Sequence, residues 1–157
     1  RECKFSGFIV TAPFLETAFP PPKAKLFIAK VFSSILPTLT LKSGLETEAL
    51  SRDQAIVEAY LSDPYVHDKL SAKLGFEMLV KGKKALEDAA EWTQPLLLMH
   101  GKGDRICSAT ASQDFAHAAG EEVELILWED NYHEIHNDLE KEKVIQTMVQ
   151  WLDQHTA

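Results

Sequence analysis

The chain has 157 residues, 45% of them apolar and 25% charged, the profile of one ordinary globular domain with enough length to bury a core. Two cysteines, Cys3 and Cys107, exclude a disulfide-rich scaffold and a four-cysteine zinc site, and no apolar run is long enough for a transmembrane helix. The net charge of −8 argues against nucleic acid as a partner. That charge is uneven: six Lys/Arg against two Glu give +4 over residues 1–45, while ten against twenty-two Asp/Glu give −12 over residues 46–157.

Residues 5–12 (FSGFIVTA) read as an apolar strand ended by Pro13, continuous in the manner of a parallel strand covered on both faces. After Pro20-Pro21-Pro22, residues 23–36 read as a helix that stops before Pro37. Ala24, Phe27, Ile28, Val31, Phe32 and Ile35 form its apolar arc, with Lys23, Lys30, Ser33 and Ser34 opposite. A second helix is expected over 52–61, opened by Ser51 with Gln54 in capping-box spacing, and a third over roughly 67–90, with Leu70, Leu74 and Met78 on one stripe. The last third alternates. Strands are expected at 95–99 and 122–128, and helices at 109–119, with Ser108 as N-cap and Gly120 as stop, and at 138–154. One strand, an all-helical insertion and a closing βαβα unit make a parallel α/β sheet the expected class.

Ligands of such sheets bind beyond the carboxyl ends of the strands. Two polar loops fall there: His100-Gly101-Lys102-Gly103-Asp104-Arg105 and Glu129-Asp130-Asn131-Tyr132-His133-Glu134-Ile135-His136. An Asp and a His at neighbouring strand ends can share a hydrogen bond that fixes the imidazole tautomer and makes the histidine a general base for a hydroxyl nucleophile. Taken singly, each residue is also what an ordinary loop contains. A zinc reading of His133 and His136 fails on spacing: they stand three apart in a loop, not four apart on a helix. Gly101 and Gly103 lack the third glycine of a dinucleotide fingerprint.

Together Pro95–Arg105 (PLLLMHGKGDR) and Trp128–Asn137 (WEDNYHEIHN) resemble the C-terminal part of the α/β-hydrolase fold, and within it the monoacylglycerol lipase and lysophospholipase group. The resemblance implies Asp104 as catalytic acid, His133 as catalytic base, His136 near the alcohol end of the substrate, and Cys107 near the pocket. Leu50–Pro64 resembles the cap of that group, with Tyr60 facing the substrate channel, and Phe5–Pro13 resembles the strand after the nucleophile helix. The implied layout is a hydrolase core from 1–13 and 92–157 carrying a helical cap from 14–91, with no cofactor and no metal. The implied partners are a lipid ester substrate and the remainder of the core, and the implied location is cytoplasmic or membrane-peripheral. The helix at 23–36, flanked by Lys23, Lys25 and Lys30, has two readings: packing within the cap, or contact with an anionic lipid interface.

One element of the group's pattern is missing. Its serine sits in a Gly-x-Ser-x-Gly elbow upstream of the acid. Glycines occur here at 7, 44, 75, 82, 101, 103 and 120, and no two are four apart. The expectation is therefore a C-terminal hydrolase portion that begins, at Arg1, just past its nucleophile and is inactive alone. Ser108 and Cys107 are weaker nucleophile candidates, since neither stands on a strand-to-helix elbow. Alternatives on the same fold are a carboxylesterase, a thioesterase, or a hydrolase-like fragment that only binds a partner.

Overall fold

The computed structural model describes residues 5–155; Cys3 lies outside them. A three-stranded parallel sheet carries the core; its strands are, in spatial order, β1 (Phe8–Thr11), β4 (Leu96–Gly101) and β5 (Val123–Trp128). Phe8 pairs with Leu96 and Leu96 with Val123. β4 is central and wholly buried along its length, which is why its sequence is apolar without alternation. Alternate side chains serve two cores: Leu96 and Leu98 pack with Phe115 and Ala111, while Leu97 and Met99 pack with Ile135, Val144 and Trp151. Each fully buried leucine contributes roughly 1.5–3 kcal/mol of transfer free energy.

The helices flanking the sheet are α4 (Ala109–Ala119) and α5 (Lys141–His155). Ser108 caps α4 by accepting from the Ala111 N–H, and Gly120 closes it with φ +78, both as the sequence indicates. Ala12, just past β1, adopts φ +43, a left-handed conformation that costs an L-residue roughly 1–2 kcal/mol. There the chain leaves the sheet for the insertion between β1 and β4.

The insertion differs from the all-helical expectation. It contains α1 (Lys23–Ile35), β2 (Thr40–Lys42), α2 (Gln54–Ser62), β3 (Lys69–Ser71) and α3 (Ala72–Glu87). β2 and β3 form an antiparallel ribbon with Leu41 opposite Leu70. The expected helix at 67–90 therefore begins at Ala72, because Ser71 turns its hydroxyl to the Leu74 N–H as N-cap and Leu70 joins the ribbon. α2 is capped by Asp53, not Ser51. Ser51 instead accepts from the Asp53 N–H and donates to the Asn137 carbonyl.

α1 also inverts its expected burial. Its one buried residue is Ser33, whose hydroxyl donates to the Lys30 carbonyl, while Phe27, Ile28 and Ile35 are exposed. α1 packs chiefly against one helix, α3, which covers only part of a wide apolar arc, and small side chains permit the closest approach. No helix among the described residues is long and apolar enough to cross a membrane.

β1 and β5 are the sheet edges, and an uncovered apolar edge strand is a template for association. Expressed without further strands, the 157-residue chain is expected to aggregate or to melt without a cooperative transition. A sharp calorimetric transition from a monodisperse monomer would contradict this.

Candidate active site

The two loops singled out by the sequence lie side by side at the carboxyl ends of β4 and β5. They are joined through the backbone: Lys102 N–H donates to the Trp128 carbonyl, and Gly103 N–H to that of Asn131. The approach leaves no room for a side chain at 101. A Cβ there would stand 2.2 Å from the Asn131 carbonyl oxygen, so glycine is what lets the loops touch.

Asp104 is the hub. Its Oδ2 accepts from His133 Nδ1 at 2.8 Å and from His100 Nε2 at 2.9 Å. Its Oδ1 accepts the N–H groups of Ile106 at 2.7 Å and Cys107 at 2.9 Å. Burial alone would raise the carboxyl pKa. The hydrogen bonds from His100, His133 and the Cys107 backbone outweigh it and hold the group well below the usual carboxylate range. Asp104 is thus a carboxylate, His133 carries its proton on Nδ1, and His133 Nε2 is the acceptor. No hydrogen bond to Nε2 occurs among the described residues, and the His133 side chain is 24% exposed.

The base loop is fixed from the opposite side by residues 49–53. His133 N–H donates to the Ala49 carbonyl at 3.3 Å and Glu134 N–H to that of Leu50 at 2.8 Å. Asp138, fully buried, accepts from Arg52 Nε at 3.0 Å, the Arg52 N–H, the Tyr132 N–H at 2.7 Å and the Leu139 N–H. Arg52 also reaches the buried Asn131 side chain at 2.9 Å. A second brace joins the same segment to the acid turn: Arg105 lies over the Tyr132 ring and pairs with Glu46 at 2.8 Å.

The structure brings Asp104, His133 and Cys107 together, with one ligating atom of each within 4.8 Å of the others. Burial, and then the Asp104 charge, pushes the Cys107 thiol up to about 12. It therefore stays protonated in the site as described, which does not suit a nucleophile. Ser108 is engaged as the cap of α4. His136 lies on the turn Ile135–Asn137 and makes no hydrogen bond to Asp104 or His133. Tyr60 lines a separate cavity of about 270 Å³ with Leu45, Thr47 and His67. A larger cavity of about 580 Å³ lies between α1, α3 and residues 15–21, lined by Leu15, Leu26, Phe27, Phe76 and Leu79, and bordered by Ser108.

Residues 1–140 match the Hydrolase_4 family, described as serine aminopeptidase, S33. The chain belongs to this family. Among its relatives, the monoacylglycerol lipase of Mycolicibacterium smegmatis is 29% identical over 97% of this chain and 55% of its own length. The human monoglyceride lipase is 28% identical over 100% of this chain and 53% of its own. The solved monoacylglycerol lipase of Paleococcus ferrophilus superposes with a TM-score of 0.92 at 30% identity, over 98% of this chain and 60% of that one. The chain thus spans a little over half the length of these family members, and the shared fold is that of an α/β hydrolase.

The sequence reading assigned no role to His100, Ser112, Arg52, Asn131 or Asp138. His100 stood in the quoted motif, four residues before Asp104. Arg52 and Asp138 are 86 residues apart, with no local signal linking them. Removing one partner of a buried, hydrogen-bonded pair costs roughly 3–5 kcal/mol. Asp138→Ala in the full-length protein is expected to lose about that much in urea unfolding, whereas Glu140→Ala, at the 4.0 Å margin of Arg52, is expected to lose less than about 1 kcal/mol.

Proposed function

We propose that this chain supplies the acid and base of a serine ester hydrolase acting on monoacylglycerol-like or lysophospholipid esters, its nucleophilic serine lying outside these 157 residues. The observation that carries the reading is the Asp104–His133 pair at 2.8 Å with Nε2 turned free. Asp104 holds the tautomer in which Nε2 accepts a serine proton as the hydroxyl attacks the ester carbonyl. The imidazolium then protonates the departing alcohol, and the neutral ring afterwards activates water to release the acyl group. Asp104 remains ionised throughout and stabilises the transient charge.

The cavity bordered by Ser108 supports the acyl side. Its volume of about 580 Å³ falls in the ~300–1,000 Å³ range of small-molecule sites, and its leucine and phenylalanine lining suits a hydrocarbon chain better than the charged terminus of a peptide. Residues 14–91 serve as the cap in this reading, with His136 near the alcohol end of the substrate and Tyr60 facing the substrate channel. The relatives named as monoacylglycerol lipases support the same substrate class.

In the full-length protein, His133→Ala and Asp104→Asn are each expected to lower turnover of a monoacylglycerol by about 10⁴-fold with the circular dichroism spectrum unchanged. A fluorophosphonate probe is expected to label that protein and not the 157-residue chain. Near-native turnover in either variant would overturn the assignment, and esters and thioesters of matched chain length distinguish a lipase from a thioesterase.

The exposed Phe27, Ile28 and Ile35 with Lys23, Lys25 and Lys30 on α1 form the face that would meet lipid. Flotation of the full-length protein with anionic vesicles is expected, and is expected to weaken several-fold in Phe27→Ser/Ile28→Ser. Equal flotation of both would count against this role for α1.

A further inference from the structure

His133 is not the only imidazole on Asp104. His100, at the end of β4 and fully buried, places Nε2 2.9 Å from the same oxygen, Oδ2, and its Nδ1 lies 2.7 Å from Ser112 Oγ on α4. Asp104 is a carboxylate and can only accept, so His100 Nε2 carries a proton. Ser112 is also fully buried. Its hydroxyl hydrogen has no acceptor other than His100 Nδ1 among the described residues. A second proton on His100 would leave that O–H buried and unpaired. The two constraints select one form, the neutral Nε2–H tautomer.

We infer that His100, set by Ser112, is a positioning residue of the triad: it holds the Asp104 oxygen on which His133 depends and takes up part of that oxygen's charge. With two backbone N–H groups on Oδ1 and two imidazoles on Oδ2, the carboxylate cannot rotate away from His133. The shared charge also keeps Asp104 from over-stabilising the His133 imidazolium, which must release its proton to the leaving alcohol. Loss of the His100 donor concentrates charge on the Asp104–His133 bond, and the acidic limb of the kcat/KM profile moves to higher pH. The other charged and titratable groups around Asp104 and His133 are Arg105 and Cys107 on the acid turn, Tyr132, Glu134 and Asp138 on the base loop, and Glu46 and Arg52 on the segment leading into α2. All are unchanged in the variants below.

The kinetic part rests on the ester-hydrolase reading; the tautomer does not. In the full-length protein with ¹⁵N-histidine, long-range ¹H–¹⁵N correlation is expected to show His100 as the neutral Nε2–H tautomer throughout the pH range in which the fold is intact. A His100 that carries its proton on Nδ1, or gains a second one in that range, overturns the inference even if the protein shows no esterase activity. His100→Leu is expected to lower kcat roughly 10–100-fold, the scale seen when outer partners of metal-ligating side chains are removed, with KM little changed and the acidic limb raised. His100→Gln, whose amide can still donate to Oδ2 and accept from Ser112, is expected to stay within about threefold of wild type with the limb in place. Should His100→Leu fail to fold, Ser112→Ala is read in its place: Nε2–H stays on Asp104, but Nδ1, freed of the Ser112 hydroxyl, is expected to take a second proton within the folded range, and the acidic limb to move to lower pH. A lowered kcat with an unmoved limb in the folded variants overturns the inference and leaves His100 a packing residue. Failure of fluorophosphonate labelling marks failure of the ester-hydrolase reading instead.

Discussion

A carboxylate shut away from water must find its hydrogen bonds within the protein, and the arrangement around Asp104 follows from that requirement. Burial without partners would neutralise the group. Four donors prevent this: two backbone N–H groups of its own turn and the imidazoles of His100 and His133. Those donors come from the turn after β4, from β4 itself and from the loop after β5. Keeping Asp104 ionised therefore fixes three parts of the chain relative to one another. The glycine at 101 and the parallel register of β4 with β5 are the conditions under which the loops come close enough.

The base loop has a second dependence. His133 is held at its side chain by Asp104 and at its backbone by Ala49, in the segment leading into α2. Arg52 and Asp138 lock that segment to the far end of the same loop through buried, charge-assisted hydrogen bonds. The insertion is thus not an appendage resting on the sheet. One of its segments forms a wall of the site, and Glu46 and Arg105 tie it to the acid turn as well. A movement of the insertion that disturbs residues 46–53 must be felt at His133.

The readable part of the fold lay in local pattern. The apolar run at 96–99 between proline and glycine, the serine and glycine that bound α4, and the alternation of strands and helices in the last third all act over a few residues, and the structure follows them. The misplaced parts depended on partners distant in sequence. Leu70 has helical spacing with Leu74, yet pairs across a ribbon with Leu41. Ser51 stands where a cap is expected, yet its hydroxyl is drawn to Asn137. The apolar arc of α1 is wide enough to be buried all round, but its main packing partner is one helix, α3.

For the site, the sequence by itself determined the chemical types and the chain order: an Asp in a glycine turn after one strand and a His after the next, with no glycine-flanked serine among these residues. Side-chain chemistry and strand periodicity are local properties, so both are legible without a fold. Only the tertiary structure decided which nitrogen of His133 faces the acid, that His100, backed by Ser112, shares the same carboxylate oxygen, and that Arg52 and Asp138 brace the loop. Each of these is a contact of about 3 Å between residues that the chain separates by 4 to 86 positions. Such contacts exist only once the sheet register and the close approach at Gly101 have set where the loops stand.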